Sequence, residues 1–329
     1  MTRIEYFLAL LSLCIIDLSM ASGFSSSPET LSERKWNGLA KHCVGSWSGT
    51  IGFYKCKVQE DADAEKLVIP DDCNNSRNVR MSAQPRASDP DIIDWVVWNV
   101  RKNGESRPVV INRDDSKNPS PKRATGCFFE DGIITRHLKG NFFQRAAIEN
   151  GFWDTDEKMR RTVVIEYDDI GILSSICYMQ QAKKPDEGFD VTAVNLDHVS
   201  DMPKEGPSLG QLRSEWVIGS EYPEKSETFD VAKNEYQRQE SDKEGIRDAV
   251  DRLLGSEDSE NIDGNACRMV FPNGVAIVCP WAIHDSEKTE AESQSIIVGY
   301  KKRCGEFQTA EYVFDRQSMK NVNVRYGSE

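Results

Sequence analysis

The stretch "CRMVFPNGVAIVCP" (267–280) repeats the plan of "CFFEDGIITRHL" (127–138): an apolar run, a polar break ending in Gly, then a β-branched run. Strand side chains alternate between faces, so such runs form half-buried strands, and a short Gly-containing break between them reads as a hairpin turn. The residues downstream of each stretch repeat as well. "RTVVIEYDDIGILSSICYMQQ" (161–181) and "SQSIIVGYKKRCGEFQTAEYVFDRQ" (293–317) are each a β-branched run ending in Tyr, a charged turn with Gly, and another strand. Tyr167, Gly171 and Tyr178 match Tyr300, Gly305 and Tyr312 at nearly equal spacing. A block of strands written twice points to an internal duplication. The fold class expected on these grounds is mainly all-β, with two antiparallel barrels or sandwiches in tandem; closure would remove the edges that so many strands expose.

The bulk numbers agree with two units. A chain of 329 residues has room for about two domains. A hydrophobic content of 38% suffices for packed cores, while 29% charged residues and a negative mean hydropathy indicate a soluble chain. The net charge of −13 repels a phosphate backbone, which argues against nucleic acid as a partner. "KKPDEG" and "YKKRCG" are short, interrupted basic stretches of the kind found in solvated turns. Beyond the N-terminus no run is long and apolar enough for a transmembrane anchor.

Residues 1–23, "MTRIEYFLALLSLCIIDLSMASG", start with Arg3, run apolar from Phe7 to Ile16 and end in small residues, the layout of a signal peptide. The junction "MASGFSSSP" resembles the cleavage region of bipartite plastid-targeting presequences, with Phe24 opening a short transit segment. The segment is atypically acidic for a transit peptide, carrying Glu29 and Glu33. The expected localisation is the plastid, and plain secretion is the alternative.

After this leader, residues 24–44 hold the transit segment and an amphipathic helix. Ser27 and Pro28 start the helix, and Trp36, Leu39, Ala40 and Cys43 share one face. "VGSWSGTIGFYKC" reads as a strand, and 57–91 as long polar loops around one weak strand near Val79–Met81. Further strands are expected at 92–100, 124–129, 132–138, 146–153, 160–168 and 171–181. The first unit thus spans 45–184, a linker spans 185–208, and the second unit spans 209–329. Within the second unit "SDKEGIRDAVDRLLG" is a helix, capped by Ser241 and Glu244 and ended by Gly255. Strands come next near 264–271, 274–279, 293–302, 305–315 and 319–326.

Gly45-Ser46-Trp47 matches the G-x-W signature of the first lipocalin strand, and its place after a short helix fits as well. "FFEDG" followed by "ENGFWDTDEKMRRTVVIEYDDIGILSSICYM", and "VFPNGVAIVCP" followed by the last hairpins, resemble the two halves of domain of unknown function family 3598. The resemblance spans residues 36–317. It implies two lipocalin-like (calycin) barrels in tandem, of the kind found in cyanobacteria and plastids, with short accessory helices. The stretch "EWVIGSEYP" looks like the first strand of the second barrel but lacks G-x-W. Lipocalin-like barrels typically hold apolar molecules, and related calycins include bilin lyases and a fatty-acid-oxide cyclase.

No catalytic set is legible. His42, His137, His198 and His284 are scattered, no C-x-x-C pair occurs, and neither a Walker loop nor a dinucleotide fingerprint is present. "GSWSG" has Trp47 where a nucleophile elbow needs Ser. No metal and no cofactor are expected. If Pro272, Asn273 and Gly274 form a three-residue loop, Cys267 faces Cys279 across the hairpin, where either a disulfide or two buried thiols fits. Trp47, Trp95, Phe128, Trp153 and Tyr178 lie on expected strands of the first barrel and are the candidate ligand-lining residues. Trp95 and Trp98, three apart, point to opposite faces of a regular strand. The favoured function is a non-enzymatic carrier whose partner is an apolar small molecule (pigment, lipid or apocarotenoid-like). The alternatives are a calycin-type lyase, isomerase or cyclase, and a non-catalytic structural or assembly protein.

Overall fold

Three hairpin turns share one hydrogen-bond pattern. The Asp168 amide donates to the Ile172 carbonyl at 2.8 Å and the Gly171 amide to the Asp168 carbonyl at 3.2 Å. Lys302, Gly305 and Glu306 repeat this at 2.8 and 3.1 Å, and Phe129, Gly132 and Ile133 at 2.9 and 3.2 Å. Gly132, Gly171 and Gly305 have φ of 82°, 84° and 92°, a region where a Cβ is strained, and Gly274 joins them at 79°. The sequence signals at these turns therefore reflect a backbone requirement.

The structure, a computed structural model, describes residues 31–60, 66–70, 75–99, 104–105, 109–114, 117, 124–129, 132–138, 147–154, 157–187, 212, 216, 225–233, 235–239, 243–255, 266–271, 274–283, 294–302, 305–315 and 318–328. The expected leader and transit segment up to residue 30, and residues 188–208 of the expected linker, lie outside them. Helix α1 (Leu31–His42) precedes β1 (Gly45–Glu60), β2 (Lys66–Pro70), β3 (Asn75–Arg86), β4 (Asp89–Asn99), β5 (Gly104–Glu105) and β6 (Val109–Asn112). Next come β7 (Ala124–Phe128), β8 (Ile133–Leu138), β9 (Ala147–Asp154), β10 (Met159–Tyr167) and β11 (Leu173–Lys184). The second half holds β12 (Lys225–Asp230), β13 (Glu235–Gln239), α2 (Lys243–Leu254), β14 (Ala266–Phe271), β15 (Val275–Pro280), β16 (Gln294–Lys301), β17 (Glu306–Asp315) and β18 (Ser318–Ser328).

The strands form two curled antiparallel sheets, one of them a half-barrel. The first has eleven strands in the order β5-β4-β3-β1-β11-β10-β9-β8-β7, with β2 on β1 and β6 on β4. The second has seven, in the order β13-β12-β18-β17-β16-β15-β14. Reversed, β7-β8-β9-β10-β11-β1-β3 matches β14-β15-β16-β17-β18-β12-β13 strand for strand. Register supports the match: Ile133 pairs with Phe152 as Val275 pairs with Tyr300, which sets Gly151 against Gly299. This differs from the sequence alignment by one hairpin. The Gly171 turn joins β10 to β11, whereas the Gly305 turn joins β16 to β17, whose counterparts are β9 and β10. Both turns need a left-handed residue, so turn chemistry alone does not tell which hairpin is which.

Within 57–91, where polarity predicts loops around one weak strand, the described residues include the end of β1, all of β2 and the twelve-residue β3. In β3, Val79, Met81 and Ala83 are buried and alternate with Asn78, Arg80, Ser82 and Gln84, all partly exposed, so one face is core and the other polar. Of "EWVIGSEYP" the structure describes Trp216, which lies outside the strands and whose amide donates to the Leu212 carbonyl at 2.7 Å.

Three apolar layers result. One face of β9–β11, with Ile148, Phe152, Val163, Ile165, Ile176 and Tyr178, packs against Phe271, Ile277, Val298, Tyr300, Tyr312 and Val324 of the second sheet. The opposite face of the first sheet packs under α1. The opposite face of the second sheet, with Ala276, Val278, Ile297 and Phe307, is covered by Val250, Leu253 and Leu254 of α2 and by Trp216. The halves also join by backbone: Ile172 bridges Ala282, and the Ile283 amide donates to the Gly171 carbonyl at 2.9 Å.

Candidate functional site

The α1-side face of the first sheet brings three of the five candidate aromatics together. Trp47 on β1, Trp95 on β4 and Trp153 on β9 are 3%, 5% and 7% exposed and belong to one core with Ile51, Met81, Val97, Cys177 and Met179. Parity places them: on β4, Ile93, Trp95 and Val97 are buried while Ile92, Asp94 and Val96 are partly exposed. Helix α1 closes the same core with Leu39, and the Trp47 indole donates to the Cys43 carbonyl at 2.9 Å. His42, at the end of α1, lies beside Trp153, with ring centroids 6.5 Å apart.

Tyr178 faces the other way. On β11, Cys177 and Met179 point toward α1, so Tyr178 lies between the sheets, stacked on Phe271 at 4.8 Å. The Phe128 side chain lies outside the described residues, as does that of Trp98.

A polar group is built into the α1-side face. Arg160 of β10 is paired in register with Trp153 of β9 on one side and Gln181 of β11 on the other. Arg160 is 2% exposed and Gln181 fully buried. The Arg160 guanidinium donates to Gln181 Oε1, at 2.6 Å from Nε, and to Met81 Sδ at 3.0 Å, and its carbon lies 4.8 Å from the Trp47 ring centre. Lys183 Nζ lies 5.7 Å from the same ring. Three buried donors of this face have no acceptor among the described residues: Trp95 Nε1, Trp153 Nε1 and Gln181 Nε2. In the sequence Arg160 is a charge within the expected strand 160–168, with nothing to say which way it points. Gln181 was missed, although a Gln pair closing the apolar run "ICYM" was its available signal.

Several polar groups between the sheets are paired, although Asn150 Nδ2 and Arg161 Nε and Nη1 have no acceptor among the described residues. Tyr167 donates to the Pro280 carbonyl at 3.0 Å, Tyr300 to Asp154 Oδ2 at 3.1 Å, and Tyr312 to Asn150 Oδ1 at 3.0 Å. Arg161 donates to Glu157 at 2.8 Å and its guanidinium carbon lies 4.5 Å from the Tyr300 ring centre. Burial holds the Tyr167 and Tyr300 phenols above their ordinary range; for Tyr300 it outweighs the opposing pull of Arg161. Cys267 and Cys279 face each other in register as two buried thiols. Their hydrogen bond, and then burial, push the Cys267 thiol well up, which suppresses the nucleophilic thiolate.

On the second sheet Glu311 is held between Arg252 of α2 at 2.7 Å and Arg325 of β18 at 2.9 Å. Burial alone would raise its carboxyl, but the two guanidinium groups outweigh it and hold it below the usual range. This carboxylate is saturated by the ion pairs and ties α2 to the sheet. Among the described residues no three His, Cys, Asp or Glu side chains are placed to hold a metal ion, and no helix is long and apolar enough to cross a membrane.

No family model and no curated protein matches the chain. A solved structure does match: a protein of unknown function of the DUF3598 family from Nostoc punctiforme PCC 73102. It is 11% identical, covers 89% of this chain and 98% of its own length, and has a TM-score of 0.54. A Bacteroides fragilis protein also covers 89% of the chain at 9% identity, but its TM-score of 0.19 carries no argument about fold. The chain thus has the fold of a DUF3598-family protein, the family its sequence resembles.

Proposed function

We propose that the protein carries a small apolar molecule, a pigment, lipid or apocarotenoid-like compound, in a plastid. In this reading the two curled sheets are lipocalin-like barrels, and the α1-side face of the first is the interior that holds the ligand. The observation that carries it is the convergence of Trp47, Trp95 and Trp153, from strands spread across the sheet, on one apolar face beneath a helix. Aromatic walls with few polar groups are what a shape-held apolar ligand needs. The corresponding face of the second sheet is covered by α2 and Trp216 and carries only one tryptophan among the described residues.

Native mass spectrometry with an absorption spectrum tests the proposal. The full chain is incubated with a plastid pigment and lipid extract and re-purified. The expected result is one retained molecule per chain. A chain that emerges bare contradicts the carrier reading.

A further inference from the structure

Gln181 Oε1 accepts from Arg160, and a guanidinium has no acceptor of its own, so the amide orientation is fixed and Nε2 points away from Arg160. Nε2 is fully buried without an acceptor among the described residues. Two residues away in the same row, on the other side of Arg160, the Trp153 indole N–H stands in the same condition. The Trp95 indole N–H is a third such donor in the same core. Buried donors left without acceptors are destabilising and rare in folded chains, and all three here are donors of one kind on one face.

Building on the carrier reading, we infer that its ligand is an apolar carboxylic acid whose carboxylate sits at the Trp153–Arg160–Gln181 row. A carboxylate is acceptor-only, with about four lone-pair sites for N–H donors. An alcohol would spend one bond as a donor into a site that has only donors to offer. Arg160 and Lys183, both placed against the Trp47 ring, supply positive charge within a chain that is otherwise strongly acidic. The tail lies along Ile51, Met81, Val97 and Met179.

The test titrates the full chain with hexadecanoic acid and with hexadecan-1-ol, following tryptophan fluorescence and native mass. The acid is expected to bind one to one and at least about tenfold more tightly than the alcohol, the scale of a charge-assisted hydrogen bond. Trp153→Phe keeps the apolar ring and deletes the N–H; it should weaken the acid about tenfold and leave the alcohol within about twofold. Gln181→Glu keeps the acceptor for Arg160 and replaces the free donor by a negative charge, and should abolish acid binding alone. Far-ultraviolet circular dichroism checks that both variants fold. Equal affinity for acid and alcohol, or acid binding indifferent to both substitutions, overturns this inference and leaves the carrier reading standing. Binding of neither probe also overturns this inference, and the carrier reading is then decided by whether a ligand is retained from the plastid extract.

Discussion

At the scale of residues, parity along each strand decided what could be seen from sequence. Trp47 and Trp95 were legible because aromatic residues on half-polar strands face a core. Strand β9 is buried on both faces, so register alone sends Trp153 toward α1 and Phe152 between the sheets. Tyr178 was not legible, because β11 is apolar on both faces around it and the direction of a side chain there depends on register alone. Close approach was equally hidden. A Cβ on Gly49 would come within 1.9 Å of the Gln180 carbonyl oxygen, a backbone atom that cannot step aside. Gly49→Ala should destabilise the protein by about 3 kcal/mol or prevent folding, as read from urea unfolding. Glu311 gives the pH prediction. Its folded-state pKa lies below the ordinary 4.5, so its contribution is full above that value and lost as pH falls through the lower folded value. Glu311→Gln should lower stability at neutral pH and shrink the difference in urea midpoint between neutral and acid pH; an unchanged difference would remove the ion pairs from the acid response.

At the scale of elements, α2 and the strands of the repeated blocks lie within a few residues of their sequence expectations, because long periodic patterns and left-handed glycines leave strong local marks. Helix α2 ends at Leu254, with Gly255 following at φ 75°. The β3 strand was obscured by Pro85 and three arginines, although its period of two is plain once Val79, Met81 and Ala83 are aligned. Which hairpin corresponds to which could not be read, since that depends on pairings between distant strands. The α2 lid gives a packing prediction. Leu253 is fully buried against Ala276, Ile297 and Trp216 in the second-sheet core. Leu253→Ala should cost about 2–5 kcal/mol in denaturant unfolding, and a cost near zero would mean that α2 is not part of the folded unit.

At the scale of the whole molecule, the sequence implied two units and the structure joins them through the largest of its cores. Phe271 of β14 stacks on Tyr178 and meets Tyr54 edge-on at 5.4 Å, both from the other sheet, and Arg34 of α1 pairs with Glu227 of β12 at 2.6 Å. Phe152 and Tyr300, equivalent in register, meet across this interface with ring centroids 5.6 Å apart. Contacts between the sheets were out of reach from sequence, because nothing in a strand pattern says what the buried face packs against. Sheets that share a core should unfold together. Calorimetry is expected to give one transition, and Phe271→Ala to destabilise it as a whole by about 3–5 kcal/mol; two separable transitions would contradict the shared core. The central claim is that the α1-side face of the first sheet holds the ligand. Nitrogen-15 spectra of the seven tryptophan indoles, assigned by Trp→Phe substitution, test it directly when recorded before and after loading with the plastid extract. The account predicts that the Trp95 and Trp153 signals move while those of Trp216 and Trp281 stay; signals that move only in the second half, or not at all, would contradict it.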